Sequence, residues 1–193
     1  EKPIAHSLAA GRAMVERARE RGVPLLVGHL LRFEQRWVAA RQRLDAGAIG
    51  DVVSITTRRI GNILDQDVLR GRTTIPLYYG VHDLDIMGWY AGAPARTMTA
   101  KRHSGALRAA GYDIDDLYAA VVEFENGVLG TAELGWHVPA SAVAARTSGV
   151  AIVGTKGAIR IEQGETGFEC WTDGGLDRAL DVIFWSDIHG TPS

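Results

Sequence analysis

The stretch from Leu117 to Trp136 constrains the fold most, because two apolar runs there flank the dipeptide Asn126-Gly127. Asn-Gly is typical of a tight turn between antiparallel strands, since both residues accept positive φ. If the turn has two residues, Val121 lies opposite Ala132 on one apolar face. The opposite face is also largely apolar. The sequence therefore predicts a sheet covered by helices on one side and by a partner subunit or a ligand on the other.

Hydrophobic periodicity assigns most of the remaining chain to helices and strands. It predicts helices over Pro3–Arg21, over Phe33–Ala46 and around His82, and strands over 23–29, 51–60, 95–101, 168–171 and 182–185. A second hairpin is expected over 149–162, with alternate residues facing inward. Residues 61–75 and 103–116 show no clear period and are expected to be loops.

The strand at 23–29 is a short apolar run without alternation, which is typical of a strand buried on both faces. One helix and one such strand cannot form a parallel sheet alone, so we expect further residues before Glu1. The expected fold is α/β (α+β): a remnant of a buried αβ layer over 1–31, then an open, largely antiparallel sheet with helices on one face over 32–193.

The stretch from Pro76 to Tyr90 carries the strongest candidate chemistry. Leu84, Met87 and Tyr90 share one helical face, and Ala91-Gly92 followed by Pro94 is a stop signal. His82 is therefore predicted near a helix start, where backbone N–H groups are unpaired. A histidine there either packs locally or transfers a proton near neutral pH, and the local pattern does not decide between the two.

Composition excludes several classes of protein. The formal net charge of -2 argues against a nucleic-acid partner, and no apolar run approaches the length of a membrane span. The single cysteine, Cys170, cannot form an internal disulfide and favours a reducing compartment, so we expect a cytoplasmic protein.

Motifs for other chemistries are absent from the sequence. The six histidines show no paired spacing such as His-Glu-x-x-His, so no metal site is predicted. Neither a Gly-x-Ser-x-Gly elbow nor a phosphate-binding glycine loop occurs. The pair Arg58-Arg59 usually means one solvated and one paired guanidinium, although it could instead bind an anionic substrate.

An ordered set of short motifs gives a more specific indication. It consists of Glu1-Lys2-Pro3 before a helix, Gly28-His29-Leu30-Leu31-Arg32-Phe33, Gly47-Ala48-Ile49-Gly50-Asp51, Gly80-Val81-His82-Asp83-Leu84-Asp85, Phe124-Glu-Asn-Gly127 and Val153-Gly-Thr-Lys-Gly157. In this order the motifs resemble the glucose–fructose oxidoreductase/inositol dehydrogenase (Gfo/Idh/MocA) family over nearly the whole chain.

The resemblance implies an enzyme that uses NAD or NADP to oxidise a secondary hydroxyl of a sugar, inositol or related polyol, or runs the reverse reduction. It implies a Rossmann domain followed by a substrate-binding domain that also forms a homodimer or homotetramer through its sheet. Lys2 corresponds to a lysine near the nicotinamide and the reacting hydroxyl, with Pro3 beside it at the cofactor. His82 corresponds to the histidine that acts as acid or base.

Further residues are expected to line the substrate site: Tyr78, Arg32, Asp85 and His137. Many family members have an aspartate where this chain has Tyr78, and a phenol with an ordinary pKa near 10 is a poor base at neutral pH. The glycine fingerprint for a dinucleotide is also absent from this sequence. The alternative is a non-catalytic protein of the same fold that senses a ligand or serves as an assembly scaffold.

Overall fold

The computed structural model describes residues 1–62, 72–138, 147–162, 167–172 and 175–179. Its helices, in chain order, are α1 (Leu8–Glu20), a 3-10 helix (Leu30–Phe33), α2 (Gln35–Asp45), a π-helical turn (Pro76–Gly80), α3 (Val81–Ala91) and α4 (Ala106–Ala109). Its strands are β1 (Val52–Asn62), β2 (Ala95–His103), β3 (Leu117–Phe124), β4 (Leu129–Val138), β5 (Thr147–Gly154), β6 (Gly157–Glu162), β7 (Gly167–Thr172) and β8 (Gly175–Ala179).

The described strands form one sheet in the order β2-β3-β4-β1-β5-β6-β7-β8. Strand β1 lies in the interior of the sheet and is parallel to β4 and antiparallel to β5. Every other neighbouring pair is antiparallel. The predicted open, largely antiparallel sheet is confirmed. The parallel pair also requires a long connection from β1 to β4, and this connection contains the π-helical turn and α3.

The core lies between one face of the sheet and the helices. Trp37 of α2, Ile86 and Met87 of α3, and Leu107 of α4 are buried there. They pack with buried side chains of the sheet, namely Ile55, Val122, Phe124, Ala132, Leu134, Trp136, Val150, Ile152, Ile159 and Ile161. Burial of this continuous apolar surface is the main force that holds the helices on the sheet.

The opposite face of the sheet carries no described helix and is mixed in character. Val121, Leu129 and Val153 are about half exposed on it. Polar contacts join the same strands, including a hydrogen bond from Thr131 Oγ1 to Thr56 Oγ1 of 2.9 Å. The expected cover of this face by a partner subunit stays a prediction.

The hairpin between β3 and β4 differs by one residue from the predicted register. Ala120, not Val121, lies opposite Ala132. The loop has three residues rather than two, because Gly127 takes the positive φ of 84° as its last residue and the Phe124 N–H bonds to the Val128 carbonyl at 3.0 Å. A shift of one residue exchanges the two faces of a strand, so Val122 is buried and Val121 is exposed.

The predictions for the N-terminal segment need two corrections. Helix α1 starts at Leu8 rather than Pro3, because the Ser7 side chain caps it by accepting from the Ala10 N–H. Residues 23–29 form no strand, and Leu26 is 83% exposed. A strand needs a neighbour to satisfy its backbone groups, and no described strand pairs with this run.

The second hairpin is confirmed: Val150, Ile152, Ile159 and Ile161 all face inward. Strand β7 contains the predicted 168–171, whereas β8 was not predicted. Within the predicted loop 103–116, α4 forms over Ala106–Ala109. The strand predicted at 182–185 and most of the loop predicted at 61–75 lie outside the described residues.

Two adjacent residues of β5 test this assignment of faces. Replacing Ile152 by Ala removes a fully buried side chain and leaves a cavity, so we expect a loss of about 2–5 kcal/mol in the free energy of unfolding. Replacing Val153, which is 46% exposed, by Ala should lower it by less than about 1 kcal/mol. Urea unfolding of the two variants measures the difference. Equal losses would contradict the assignment.

Candidate active site

Four segments meet at the N-terminal side of α3: residues 1–7, the 3-10 helix, the end of β1 and the π-helical turn that leads into α3. Thr74 accepts a hydrogen bond from the Tyr78 N–H at 2.9 Å, so helical bonding begins well before His82. The predicted position of His82 at the start of an α-helix is confirmed, since α3 begins at Val81. The π-helical turn precedes it directly, so the first N–H groups of α3 are not at a free chain end. Single π-helical turns of this kind are frequent at functional sites.

Lys2 is anchored to the π-helical turn. Its Nζ donates to the main-chain carbonyl of Tyr78 at 2.9 Å and lies 4.4 Å from the centroid of the Tyr78 ring. Burial lowers the pKa of Lys2 from its ordinary value, and the positive charge of Arg59 lowers that pKa further. The ammonium is thus held in a defined place, and it loses its proton more readily than a lysine in water.

His82 is uncharged at neutral pH. Burial lowers its pKa to about 4, with additional lowering by Lys2, Arg59 and His29, while Asp85 acts in the opposite direction. The Nδ1 atom of His82 is buried and has no hydrogen-bond partner among the described residues. An uncharged imidazole has one ring nitrogen with a free lone pair, and this nitrogen is where it can accept a proton.

Arg32 and Asp85 form a bidentate ion pair beside His82. Arg32 Nε lies 2.8 Å from one carboxylate oxygen of Asp85, and Nη2 lies 2.7 Å from the other. The guanidinium also lies over the Trp89 ring, 5.6 Å from its centroid. His29 Nδ1 lies 3.6 Å from Asp85 and has no hydrogen-bond partner among the described residues. The Asp85 carboxylate is therefore already occupied by a cation.

A second ion pair lies on the buried side of α3. Arg59 Nε donates to Asp83 at 2.7 Å, and its Nη1 donates to Ser148 Oγ at 2.7 Å. Asp83 is almost fully buried, and burial raises its pKa while the Arg59 charge counteracts that rise. The pair links β1, α3 and β5 at the residue next to His82.

Aromatic rings support the π-helical turn from the sheet. Trp136 of β4 contacts both Tyr78 and Tyr79, with ring centroids 5.5 Å and 5.4 Å apart. Trp136 is fully buried, whereas Tyr78 is half-buried. The rings therefore fix the turn, and through it the Tyr78 carbonyl that accepts from Lys2.

The structure brings together five of the predicted residues: Lys2, His82, Tyr78, Arg32 and Asp85. His137 lies elsewhere. It follows Trp136 in β4, and successive residues of a strand face opposite ways, so its ring lies over Gly135 on the side away from Tyr78. We therefore assign His137 no part in this arrangement.

Sequence reasoning did not select three residues of the arrangement: His29, Arg59 and Asp83. A signal for the ion pair was present. Arg59 follows Ile55 and Thr57 on the inward side of β1, and Asp83 shares a helical face with Ile86, Met87 and Tyr90, all of which are buried. A carboxylate on a buried stripe needs a cation, and an inward arginine supplies one.

A cavity of about 730 Å³ adjoins the arrangement. Pro3, Leu77 and Val81 form part of its wall, and α1 forms most of the rest. These residues are the sequence neighbours of Lys2, Tyr78 and His82. Among the described residues, no three His, Cys, Asp or Glu side chains are grouped so that they could bind a metal ion, and no helix is long and apolar enough to cross a membrane.

Comparison with known proteins identifies the family. The sequence profile of the GFO/IDH/MocA C-terminal domain matches residues 37–160. The chain belongs to the GFO/IDH/MocA family. This is a family of oxidoreductases, and inositol dehydrogenases are among the relatives of the chain.

Two curated relatives of this GFO/IDH/MocA chain illustrate the range. The 2,7-anhydro-N-acetylneuraminate hydratase of Escherichia coli (strain K12) is 32% identical over 172 residues, which cover 86% of this chain and 45% of that protein. Inositol 2-dehydrogenase 2 of Saccharopolyspora erythraea is 34% identical over 142 residues, which cover 69% of this chain and 39% of that protein. The chain thus spans about half the length of the curated relatives it matches, or less.

Solved structures share the fold. An oxidoreductase from Agrobacterium radiobacter, in complex with NAD+, L-tartaric acid and magnesium, matches with a TM-score of 0.80 and 23% identity over 92% of this chain and 52% of that one. The aldose-aldose oxidoreductase from Caulobacter crescentus, complexed with glycerol, matches with a TM-score of 0.80 and 18% identity over 100% of this chain and 56% of that one. At these identities the likeness shows the fold alone.

The low pKa of His82 predicts a pH dependence of stability. In the folded protein His82 takes up its proton only near pH 4, whereas in the unfolded chain it does so near its ordinary value of 6.5. The unfolded state therefore binds the extra proton as the pH falls from 6.5 to 4, and the contribution of His82 to stability is lost over that range.

Urea unfolding of wild type and His82→Gln at several pH values measures this contribution. The decline in stability between pH 6.5 and 4 should be smaller in the variant than in the wild type. His6→Gln, which changes an exposed histidine, serves as the control and should decline as the wild type does. Identical declines in all three proteins would contradict the assigned shift.

Proposed function

We propose that this chain is the substrate-binding part of an NAD- or NADP-dependent oxidoreductase that acts on a secondary hydroxyl of a sugar, inositol or related polyol. The observation that carries the proposal is the convergence of Lys2 and His82. An uncharged imidazole and a held ammonium adjoin the same turn, although they come from segments eighty residues apart in the chain. The proposed domains are a Rossmann remnant over 1–31 and the substrate-binding domain from residue 32.

In this mechanism His82 and Lys2 have different roles. His82 takes the proton of the substrate hydroxyl on its imidazole, because its low pKa keeps the ring unprotonated at neutral pH. Lys2 stabilises the negative charge that develops on the oxygen, since its ammonium is already fixed by the Tyr78 carbonyl. The bound nicotinamide supplies the chemistry of hydride transfer.

The residues at the start of the chain fit the nicotinamide end of such a cofactor. Lys2 and Pro3 are the residues that would adjoin the nicotinamide, and Pro3 with Leu77 and Val81 offers an apolar wall suited to a flat ring. Tyr78, Arg32 and Asp85 would line the substrate side. Asp85 would act mainly by holding the 3-10 helix against α3 through Arg32, because its two oxygens are already paired.

A second candidate reaction is hydration, because two curated relatives, at 32% and 28% identity, are named as hydratases. The same pair could serve it, with His82 removing a proton and Lys2 stabilising the resulting charge. The mass of the product discriminates: oxidation removes two hydrogen atoms, whereas hydration adds the atoms of one water molecule.

The first test is turnover by the full-length protein with NAD+ or NADP+ and a panel of inositols, sugars and polyols. Replacing His82 by Asn should lower kcat by about 10²- to 10⁴-fold while the protein still binds the cofactor, because only the proton acceptor is lost. His103→Asn is a control, since His103 is exposed and lies in β2 at the edge of the described sheet. Unchanged turnover in His82→Asn would remove His82 from the mechanism.

A second variant separates binding from chemistry. Tyr78→Phe removes the hydroxyl but keeps the ring and the main-chain carbonyl that accepts from Lys2. We expect KM to rise with little change in kcat, because the phenol contacts the substrate without exchanging its proton. A large fall in kcat at constant KM would instead make Tyr78 a participant in proton transfer. Cofactor binding without turnover of any substrate would favour the non-catalytic scaffold.

A further inference from the structure

The Arg59–Asp83 ion pair is a feature that the proposed reaction does not use. Asp83 is 1% exposed, and the Arg59 side chain is 13% exposed, so the pair is shielded from water. Arg59 bonds to Asp83 through Nε at 2.7 Å, bonds to Ser148 through Nη1 at 2.7 Å, and lies 5.8 Å from the centroid of the Tyr79 ring. The guanidinium therefore contacts three different elements of the fold, two of them through hydrogen bonds.

These contacts determine where His82 lies. Asp83 is its neighbour in α3, and Tyr79 belongs to the π-helical turn just before it. Arg59 and Ser148 lie opposite each other in β1 and β5, which are rigidly paired in the interior of the sheet. The guanidinium thus links the first turn of α3, at the residue next to His82, to the paired strands β1 and β5.

The charge of Arg59 also acts on the site. The titratable and charged groups that face His82 are Lys2 from the N-terminal segment, His29 beside the 3-10 helix, Arg59 from β1 and Asp85 from α3. Asp85 is the one carboxylate among them, and Arg32 already pairs with it. Arg59 therefore adds to a positive surrounding that disfavours a proton on His82 and on Lys2.

We propose that Arg59 is a positioning residue: held by Asp83 and Ser148, it orients the first turn of α3 and fixes a positive charge near His82. The inference rests on the proposed function in so far as His82 accepts the proton. The effect of Arg59 on the titration of His82 can be measured without turnover.

The experiment compares three substitutions in the full-length protein. Arg59→Gln removes the charge, Arg59→Lys retains it, and Arg58→Gln is the matched control. Arg58 is the adjacent residue, it faces the other side of the sheet, and its pair with Glu133 is exposed. NMR titration of the His82 imidazole, assigned by its absence in His82→Asn, gives the readout, and circular dichroism confirms folding of each variant.

We expect His82 to titrate at a higher pH in Arg59→Gln than in the wild type, where its pKa is about 4. Arg59→Lys and Arg58→Gln should titrate as the wild type does. If Arg59→Gln fails to fold because Asp83 is left without a cation, Arg59→Gln/Asp83→Asn replaces the ion pair by two amides and is measured instead, with the same expectation. A wild-type titration in a folded variant that lacks the Arg59 charge would overturn the inference.

Steady-state kinetics provide a second, independent test of the role of Arg59. In Arg59→Gln the acidic limb of kcat/KM should move to higher pH, and kcat should fall by up to about a hundredfold with a smaller change in KM, as expected for a misplaced base. Arg58→Gln should leave the profile unchanged. A shifted NMR titration in an enzyme that never turned over any substrate would support the role of Arg59 and refute the proposed function. An unchanged titration of His82 with normal turnover would refute the role of Arg59 and support the proposed function.

Discussion

The parallel pairing of β1 with β4 is the constraint on which the rest of the structure depends. Parallel neighbours cannot be joined by a hairpin, so the chain must leave the end of β1, cross the sheet and return. The crossing places the π-helical turn and α3 on the inner face, over Leu134 and Trp136. Gly80 marks how close this approach is, because a Cβ there would meet the Leu134 side chain at 3.2 Å.

The close packing of α3 on the sheet also explains the ion pairs of Asp83 and Asp85. A helix pressed against a sheet must bury one face, and Asp83 lies on the buried face beside Met87 and Ile86. A buried carboxylate requires a partner, which Arg59 provides from the inward side of β1. On the exposed side, Asp85 has a second arginine as its partner. His82, which directly precedes Asp83 in the sequence, is left with more positive than negative charge around it.

The sequence predicted what depends on alternation and periodicity over several residues. The inward positions of the second hairpin, the position of α3 and its end at Gly92, which has a φ of 67°, follow from such patterns. It did not predict features that depend on the length of a single turn or on whether a neighbouring strand is present. The Asn126-Gly127 turn has a third residue, which reverses the faces of β3, and the apolar run at 23–29 has no strand to pair with. Five of the seven predicted site residues lie together because the motif order reflects the family fold, and Pro3 lines the adjoining cavity. One step along β4 directs His137 to the other face.

The hydrogen bond that holds Lys2 does not depend on the functional group of the side chain at position 78. The Lys2 ammonium is held by a main-chain carbonyl, and every amino acid at position 78 supplies that oxygen. The hydrogen bond itself therefore tolerates any side chain at position 78, whereas the aromatic ring there makes the contacts with Lys2, Tyr79 and Trp136 that hold the turn. Evolution, or a protein engineer, can change the hydroxyl of that ring without removing the anchor of the lysine.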